Sequence, residues 1–175
     1  MKFIISILFL AILFTGCKTE TEAEPDNSAE MAFEANSKTV LANLEGWQNE
    51  NVDYSMYADD FAMFETAFSA EKDSINLEEM KALDREMWTN YDFKMVAEPV
   101  LLPGVKRATT TPDGSVRHYI QWEVTKPATD TTEARTGTIK LYESFDFNEN
   151  GKIRYQQVYG DFTGLMMHLH GGGEM

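Results

Sequence analysis

Hydrophobic and polar residues alternate along two stretches near the C-terminus, Gly137 to Phe147 and Lys152 to Phe162. Because successive side chains of a strand point to opposite faces, the pattern predicts two strands, each with one face on a core. Residues Asn148 to Gly151 predict the turn that joins them into a hairpin. The predicted core-facing rows are Ile139, Leu141, Glu143, Phe145 and Phe147 on the first strand, and Ile153, Tyr155, Gln157, Tyr159 and Asp161 on the second.

Apolar residues recur at helical spacing in two earlier stretches. From Ala29 to Trp47 they form one stripe, which predicts a first helix that ends near Gly46. Asn76 followed three residues later by Glu79 is typical of a helix N-terminus, because both side chains can accept hydrogen bonds from free backbone N–H groups. We therefore expect a second helix that runs to about Asn90.

The rest of the chain is strand-like and is interrupted by turn residues and polar loops. The predicted segments are a short helical turn with a brief strand from Val52 to Phe64, strands from Tyr91 to Leu102 and Val105 to Thr111, a turn at Pro112 to Gly114, a strand from Val116 to Thr125 and a loop from Lys126 to Arg135. Helices followed by a long antiparallel sheet predict an α+β fold, with the helices packed on one face of a curved sheet.

Length and composition favour one domain. The chain has 175 residues, of which 43% are hydrophobic, and this suffices for a single core. We assign residues 29–169 to the domain and residues 170–175 to a flexible, glycine-rich tail. The formal net charge of −14 argues against nucleic acid as a partner, since such a surface repels phosphates.

The N-terminus predicts export. Met1 and Lys2 precede an apolar run, Phe3 to Phe14, that is too short to span a bilayer as a helix, so residues 1–16 are interpreted as a signal peptide. The run ends in Thr-Gly-Cys and resembles a bacterial lipoprotein signal, which implies that Cys17 carries lipid. The alternative is an ordinary signal peptide followed by a chance cysteine.

The lipoprotein resemblance implies a place in the cell. A lipidated Cys17 would hold the protein on a membrane, and residues 17–28 would form the lipidated cysteine and a polar, acidic tether. The expected location is the bacterial cell envelope, outside the cytoplasm. By the same resemblance, Lys18 is compatible with sorting to the outer membrane.

The order of elements resembles the nuclear transport factor 2-like, or SnoaL-like, superfamily. The matching segments are VDYSMYADDF at residues 52–61, FDFNENGKI at residues 145–153 and YGDFTGLMMHL at residues 159–169. The resemblance covers Ala29 to Leu169. It implies a cone-shaped sheet with a pocket at its open end, and homodimers through the outer face of the sheet. In SnoaL-like cyclases an Asp of the closing strand acts as the base, and Asp161 matches that position.

Three predicted strands each place one ionisable group on the core face: His118, Glu143 and Asp161. In a cone these groups could converge, and a carboxylate beside a histidine can transfer protons near neutral pH. The remaining predicted pocket residues are Trp122, Phe145, Tyr155, Gln157 and Tyr159.

Each of these groups also has a purely structural interpretation. Asp161 can cap a turn, and His118 can be a buried histidine satisfied by a neighbour. Glu143 can face water if a β-bulge near Tyr142 shifts the register.

Two further clusters in the sequence could carry chemistry. Asp59 and Asp60 can lie at the pocket mouth or end the helical turn. Met166, Met167, His168 and His170 carry ligand types that suit Cu(I), but a strand that buries alternate methionines accounts for them as well. We therefore predict neither a metal nor another cofactor.

The sequence thus favours a lipid-anchored domain whose cone pocket binds a small, partly apolar ligand without turnover. The alternative is a SnoaL-like lyase or isomerase that uses Asp161 as general base, assisted by His118 or Tyr155. A purely structural dimer module is a third interpretation.

Overall fold

The computed structural model describes residues 26–172. The predicted signal peptide, Cys17 and most of the predicted tether lie outside this range. None of the helices within residues 26–172 is long and apolar enough to cross a membrane.

The described chain forms three α-helices. They are α1 (Ser28–Gln48), α2 (Leu77–Asn90) and α3 (Phe162–Leu169), and a short 3-10 helix covers Tyr54–Met56. The predicted α1 and α2 are confirmed to within about one residue at each end. At the start of α2, the Asn76 side chain accepts hydrogen bonds from the backbone N–H groups of Glu78 and Glu79, and the Glu79 carboxylate accepts one from the Asn76 N–H. This reciprocal cap fixes where the helix begins.

Seven strands form one curved sheet. Their bounds are β1 (Tyr57–Phe64), β2 (Ser74–Ile75), β3 (Asp92–Met95), β4 (Val100–Val105), β5 (Pro112–Lys126), β6 (Arg135–Phe147) and β7 (Ile153–Tyr159). The order is β2-β1-β7-β6-β5-β3, and β4 pairs with the other half of β5. The sheet was expected to be antiparallel, but β1 runs parallel to β7, whereas the other neighbours are antiparallel. The α+β cone fold is therefore confirmed with a mixed sheet.

The predicted turn at Pro112 to Gly114 is wrong. The strand β4 continues through Pro103 and Gly104, and β5 already begins at Pro112. The turn lies between them, where the Lys106 N–H donates to the Thr111 carbonyl at 2.8 Å. Pro103 is tolerated because the pairing of β4 with β5 shifts register between Pro103 and Val105, and proline is accommodated at such irregularities.

The predicted closing strand is also wrong beyond Tyr159. The backbone turns at Gly160, and residues Phe162–Leu169 form α3. Leu165 and Leu169 are buried four residues apart, which is the helical period, so the methionines between them do not alternate as in a strand. This helix packs on β6 at Gly137, where an added Cβ would lie 2.8 Å from Leu165 Cδ1.

The core lies between α1 and the sheet. Val40 and Leu44 of α1 belong to the same buried cluster as Val116, Ile120 and Val124 of β5. His170, which the predicted tail included, has its Nε2 2.8 Å from the Tyr91 hydroxyl oxygen and its Nδ1 3.0 Å from Lys126 Nζ. The end of α3 is thereby joined to the sheet.

Candidate ligand-binding cavity

A cavity of about 540 Å³ opens between the helices and the sheet. This volume lies within the range of small-molecule sites, roughly 300 to 1,000 Å³. Most lining side chains are apolar, and they come from α1, α2, α3 and five strands. Representative members are Leu44, Met80, Phe93, Val124, Leu141, Val158 and Leu165. The cone predicted from the sequence is therefore hollow.

Aromatic rings form one wall of this cavity. Trp47 of α1 lies edge-on to Phe93 with ring centroids 4.3 Å apart, and its centroid is 5.7 Å from that of Trp122. Edge-to-face contacts of this kind are favourable and hold the rings in fixed orientations. The wall therefore presents packed aromatic rings to whatever occupies the cavity.

Two hydrogen-bonded groups interrupt the apolar lining on the helical side. The Asn43 side-chain amide donates to the Tyr57 hydroxyl oxygen at 2.8 Å. Asp84 of α2 is buried and accepts hydrogen bonds from the Tyr54 hydroxyl at 2.8 Å and from Trp47 Nε1 at 3.2 Å. Burial raises the pKa of Asp84 above its ordinary value, and the two hydrogen bonds act in the opposite direction.

Glu143 lies in the middle of β6, opposite His118 of β5 and Val158 of β7. Its side chain lines the cavity, although only 6% of the residue is exposed. Burial raises the pKa of Glu143 to about 7, and a hydrogen bond with the Gln156 side chain acts in the opposite direction. Glu143 is therefore poised between its neutral and charged forms near neutral pH.

His118 lies behind Glu143, in the core. The residue is 0% exposed, and its ring is stacked on that of Phe145 with centroids 5.7 Å apart. His118 Nε2 is 3.7 Å from Glu143 Oε1, which is too long for a hydrogen bond, and neither ring nitrogen has another partner among the described residues. Burial lowers the pKa of His118 to about 4, so the ring is neutral near pH 7.

Tyr57 lies close enough to Asp84 and Glu143 for the charges of both to affect its pKa. Its pKa is raised above the ordinary range, first by burial and then by the charges of Asp84 and Glu143. Its hydroxyl therefore stays protonated, and because it already accepts from Asn43, its own hydrogen is available to another acceptor.

The predicted pocket residues fall into three groups. Trp122 and Glu143 line the cavity, whereas His118 and Phe145 are buried in the core next to it. Tyr155, Gln157 and Tyr159 do not line it, and Tyr159 is 48% exposed.

The predicted core-facing row of β7, which includes Tyr155, Gln157 and Tyr159, is wrong because of a β-bulge. Phe147 pairs with Ile153, but Asp146 pairs with Tyr155, so Arg154 is an extra residue in β7. One extra residue turns every following side chain to the opposite face. Gln156 and Val158 therefore face the cavity instead. The alternative register for Glu143, with a slip near Tyr142, does not occur, because β5 and β6 pair without a shift from Val116 to Lys126.

Asp161 lies outside the cavity as the N-cap of α3, where its exposed carboxylate accepts a hydrogen bond from the Gly164 N–H at 2.8 Å. Its predicted position on the core face of a strand is wrong, because the strand ends before it.

The other two clusters form local contacts. Asp60 is exposed and accepts a hydrogen bond from Arg154 Nε at 2.9 Å. His168 Nε2 lies 3.0 Å from the Thr136 carbonyl oxygen, and His170 contacts Tyr91. Within residues 26–172, no group of three or more His, Cys, Asp or Glu side chains has an arrangement that could hold a metal ion.

Four buried polar residues of the cavity were not predicted from the sequence: Asn43, Tyr57, Asp84 and Gln156. Asp84 left a readable signal, since it follows Met80 by four residues and so shares the buried face of α2. Gln156 left none, because its orientation depends on the bulge.

Comparison with known proteins identifies the fold. A nuclear transport factor 2-like protein from Burkholderia xenovorans aligns with a TM-score of 0.57 and 12% identity, over 78% of this chain and 96% of its own. A proposed SnoaL-like polyketide cyclase from Shewanella denitrificans aligns with a TM-score of 0.53 and 13% identity, over 78% and 97%. An LEH-like epoxide hydrolase from Mycobacterium tuberculosis aligns with a TM-score of 0.50 and 18% identity, over 79% and 87%.

The described chain is therefore a domain of the nuclear transport factor 2-like, SnoaL-like fold. No family model and no curated protein sequence matches it. At such low sequence identity the structural likeness shows the fold alone. The function therefore has to be argued from the residues of the cavity.

Proposed function

We propose that the domain binds a small, mostly apolar organic molecule in the cavity without chemical turnover. The observation that carries this proposal is the cavity of about 540 Å³, with apolar walls and a few polar groups that include Tyr57 and Glu143. Such a combination is typical of small-molecule sites, in which apolar contact supplies affinity and a few polar groups orient the ligand.

Apolar contact in this cavity is sufficient for measurable affinity. A ligand that buries about 200 Å² of apolar surface gains roughly 5 kcal/mol from this term, before the entropic cost of association is subtracted. The aromatic wall of Trp47, Phe93 and Trp122 is already packed, so little ordering of side chains is needed on binding.

A cavity-filling variant tests this proposal. Leu83 of α2 lines the cavity and is 39% exposed, so Leu83→Trp can place a larger ring at the opening with little strain in the core. Glu86→Trp is the matched control, because Glu86 is exposed on the same helix and does not line the cavity. We expect Leu83→Trp to weaken binding of naphthylethanol, measured by calorimetry, at least tenfold. Equal binding by both variants would contradict a site in the cavity.

We further propose that the protein is anchored to a membrane of the cell envelope through lipid on Cys17. The signal-like residues 1–16 support this, as does the polar composition of the stretch that follows the cysteine. In a bacterial host, Cys17→Ser should move the protein from the membrane fraction to the soluble fraction. Membrane association that persists in this variant would contradict the anchor.

A second candidate function is proton transfer within the same cavity, as in a lyase or isomerase. The buried carboxyl group of Glu143 favours it, because a pKa of about 7 suits a general base at neutral pH. Glu143 would then take the role that the resemblance gave to Asp161. The test is to incubate a bound compound with the wild-type chain and with Glu143→Gln. Conversion by the wild type alone would support proton transfer over simple binding.

A further inference from the structure

We propose that the cavity selects a cationic ligand, an apolar amine whose ammonium group binds beside Glu143. This inference rests on the proposed binding function, because it assigns a chemical class to the ligand of the same cavity.

The charged residues of the lining all have the same sign. Glu65, Asp84 and Glu143 contribute carboxyl groups, whereas the lining residues, which all belong to the described part of the chain, include no Lys, Arg or His. A ligand carboxylate or phosphate would therefore meet negative charge without a compensating cation. Repulsion in a poorly solvated site is strong enough to exclude such ligands.

Glu143 is buried without a cationic partner among the described residues. The groups that face it are the neutral ring of His118 on β5, the amide of Gln156 on β7 and the phenol of Tyr57 on β1. A buried carboxylate is stable when a cation accompanies it, and burial without one raises its pKa, as seen here. A ligand ammonium would supply the missing charge.

Arginines do not fill this role, because two of them are paired with other carboxylates and a third does not line the cavity. Arg117 NH1 lies 2.8 Å from Asp146 Oδ1, and Arg154 Nε lies 2.9 Å from Asp60 Oδ2. Arg85, which lowers the pKa of Asp84 through its charge, is exposed and does not line the cavity.

A second observation comes from Gln156. This residue lines the cavity and is only 9% exposed, yet its side-chain oxygen has no hydrogen-bond partner among the described residues. A buried acceptor without a donor is costly. The oxygen atoms of Gln156 and Glu143 are both acceptors, and an ammonium group carries several N–H donors.

The aromatic wall favours an organic amine over a metal ion. Trp47, Phe93 and Trp122 offer ring faces that attract cations and bury hydrocarbon. The described residues provide no group of three metal-ligating side chains.

Three matched probes test the inference: naphthylethylamine, naphthylethanol and naphthylacetate, which share one ring system and differ in head group. Binding to the purified full chain is measured by calorimetry at about pH 8, where Glu143 is mostly ionised and the amine is protonated. We expect the amine to bind about tenfold or more tightly than the alcohol, and the acid to bind more weakly than both.

The variants Glu143→Gln and Glu149→Gln separate a local effect from the net charge. Glu149 is exposed in the turn after β6, so its loss changes the total charge equally without touching the cavity. Glu143→Gln should lose most of the preference for the amine while still binding the alcohol, and Glu149→Gln should keep the preference.

The pH dependence adds a further readout. Between about pH 6 and about pH 8 the ionised fraction of Glu143 rises severalfold, so the amine preference of the wild type should rise with it, whereas that of Glu143→Gln should rise much less. His118 is neutral throughout this interval. Asp84 is present in both proteins, so any effect of its own ionisation on amine binding is common to the wild type and Glu143→Gln.

The outcomes distinguish the two proposals. If the alcohol binds as tightly as the amine to the wild type, charge selection is refuted and the binding function stands. If the acid binds most tightly, charge selection is refuted as well. If none of the probes binds, both proposals are contradicted.

Discussion

Glu143→Gln replaces a buried carboxyl group with an amide of nearly the same shape, and its effect on folding should depend on pH. In the folded state burial raises the pKa of Glu143 from 4.5 to about 7, whereas in the unfolded chain the group is solvated and keeps its ordinary value. Between these two values the folded state binds a proton that the unfolded state does not. The stability of the wild type therefore falls as the pH rises through this interval.

The size of this effect follows from the two pKa values. Each tenfold change in proton affinity corresponds to about 1.4 kcal/mol, so a change from 4.5 to about 7 amounts to roughly 3 kcal/mol at pH values above both. Glutamine does not ionise and escapes this loss. The free energy of unfolding of Glu143→Gln minus that of the wild type should therefore increase by about 3 kcal/mol between about pH 4.5 and about pH 8.

His118 acts at the other end of the pH range. Its pKa is lowered to about 4 in the folded state, so below about pH 6 the unfolded chain binds the additional proton and stability falls as the pH falls. Both proteins contain His118, and the difference between them largely removes this contribution.

Urea unfolding of both proteins across the pH range, followed by tryptophan fluorescence, measures this difference. Glu149→Gln serves as the control and should show little pH-dependent difference, because Glu149 is exposed. If the free energy of unfolding of Glu143→Gln differs from that of the wild type by the same amount at every pH, the conclusion that Glu143 is buried without a charged partner is refuted.

Three further predictions follow from the fold. Asp161→Asn should leave ligand binding and stability nearly unchanged, because Asn is an equally good N-cap, whereas Asp161→Ala should lower the free energy of unfolding in urea by about 1 kcal/mol. A large loss of ligand binding in Asp161→Asn would show that this residue belongs to the site after all. Gly137→Val should lower the free energy of unfolding by roughly 1 to 3 kcal/mol, because the new Cβ meets Leu165, and an unchanged midpoint would contradict the packing of α3. We propose the exposed ring of Tyr119, which lies tilted against Tyr142 with centroids 5.2 Å apart, as part of a dimer surface. Tyr119→Glu should therefore reduce the mass measured by light scattering to that of a monomer, and a wild type that is itself monomeric would exclude this surface.

Elements with strong local signals could be predicted from the sequence. The helix α2 is fixed by its own cap at Asn76 and Glu79, and β5 and β6 alternate without interruption, so Glu143 was assigned to the correct face. In these cases each side chain's position depends only on near neighbours along the chain.

The features that could not be predicted from the sequence depend on contacts between residues that are distant along the chain. The bulge at Arg154 moves Gln156 into the cavity and Tyr155 out of it, and no residue type in β7 demands an extra residue at that point. The packing of α3 through Leu165 on Gly137 joins two segments that are distant along the chain. For these reasons the cavity could be predicted but part of its polar lining could not.

A crystal structure of the chain with naphthylethylamine would show whether the cavity binds an apolar amine next to Glu143. We expect the naphthyl ring against the wall of Trp47 and Trp122, with the amine nitrogen at about 3 Å from a Glu143 carboxylate oxygen. A cavity that is empty, or closed by its own side chains, while the amine is bound elsewhere on the chain would contradict it.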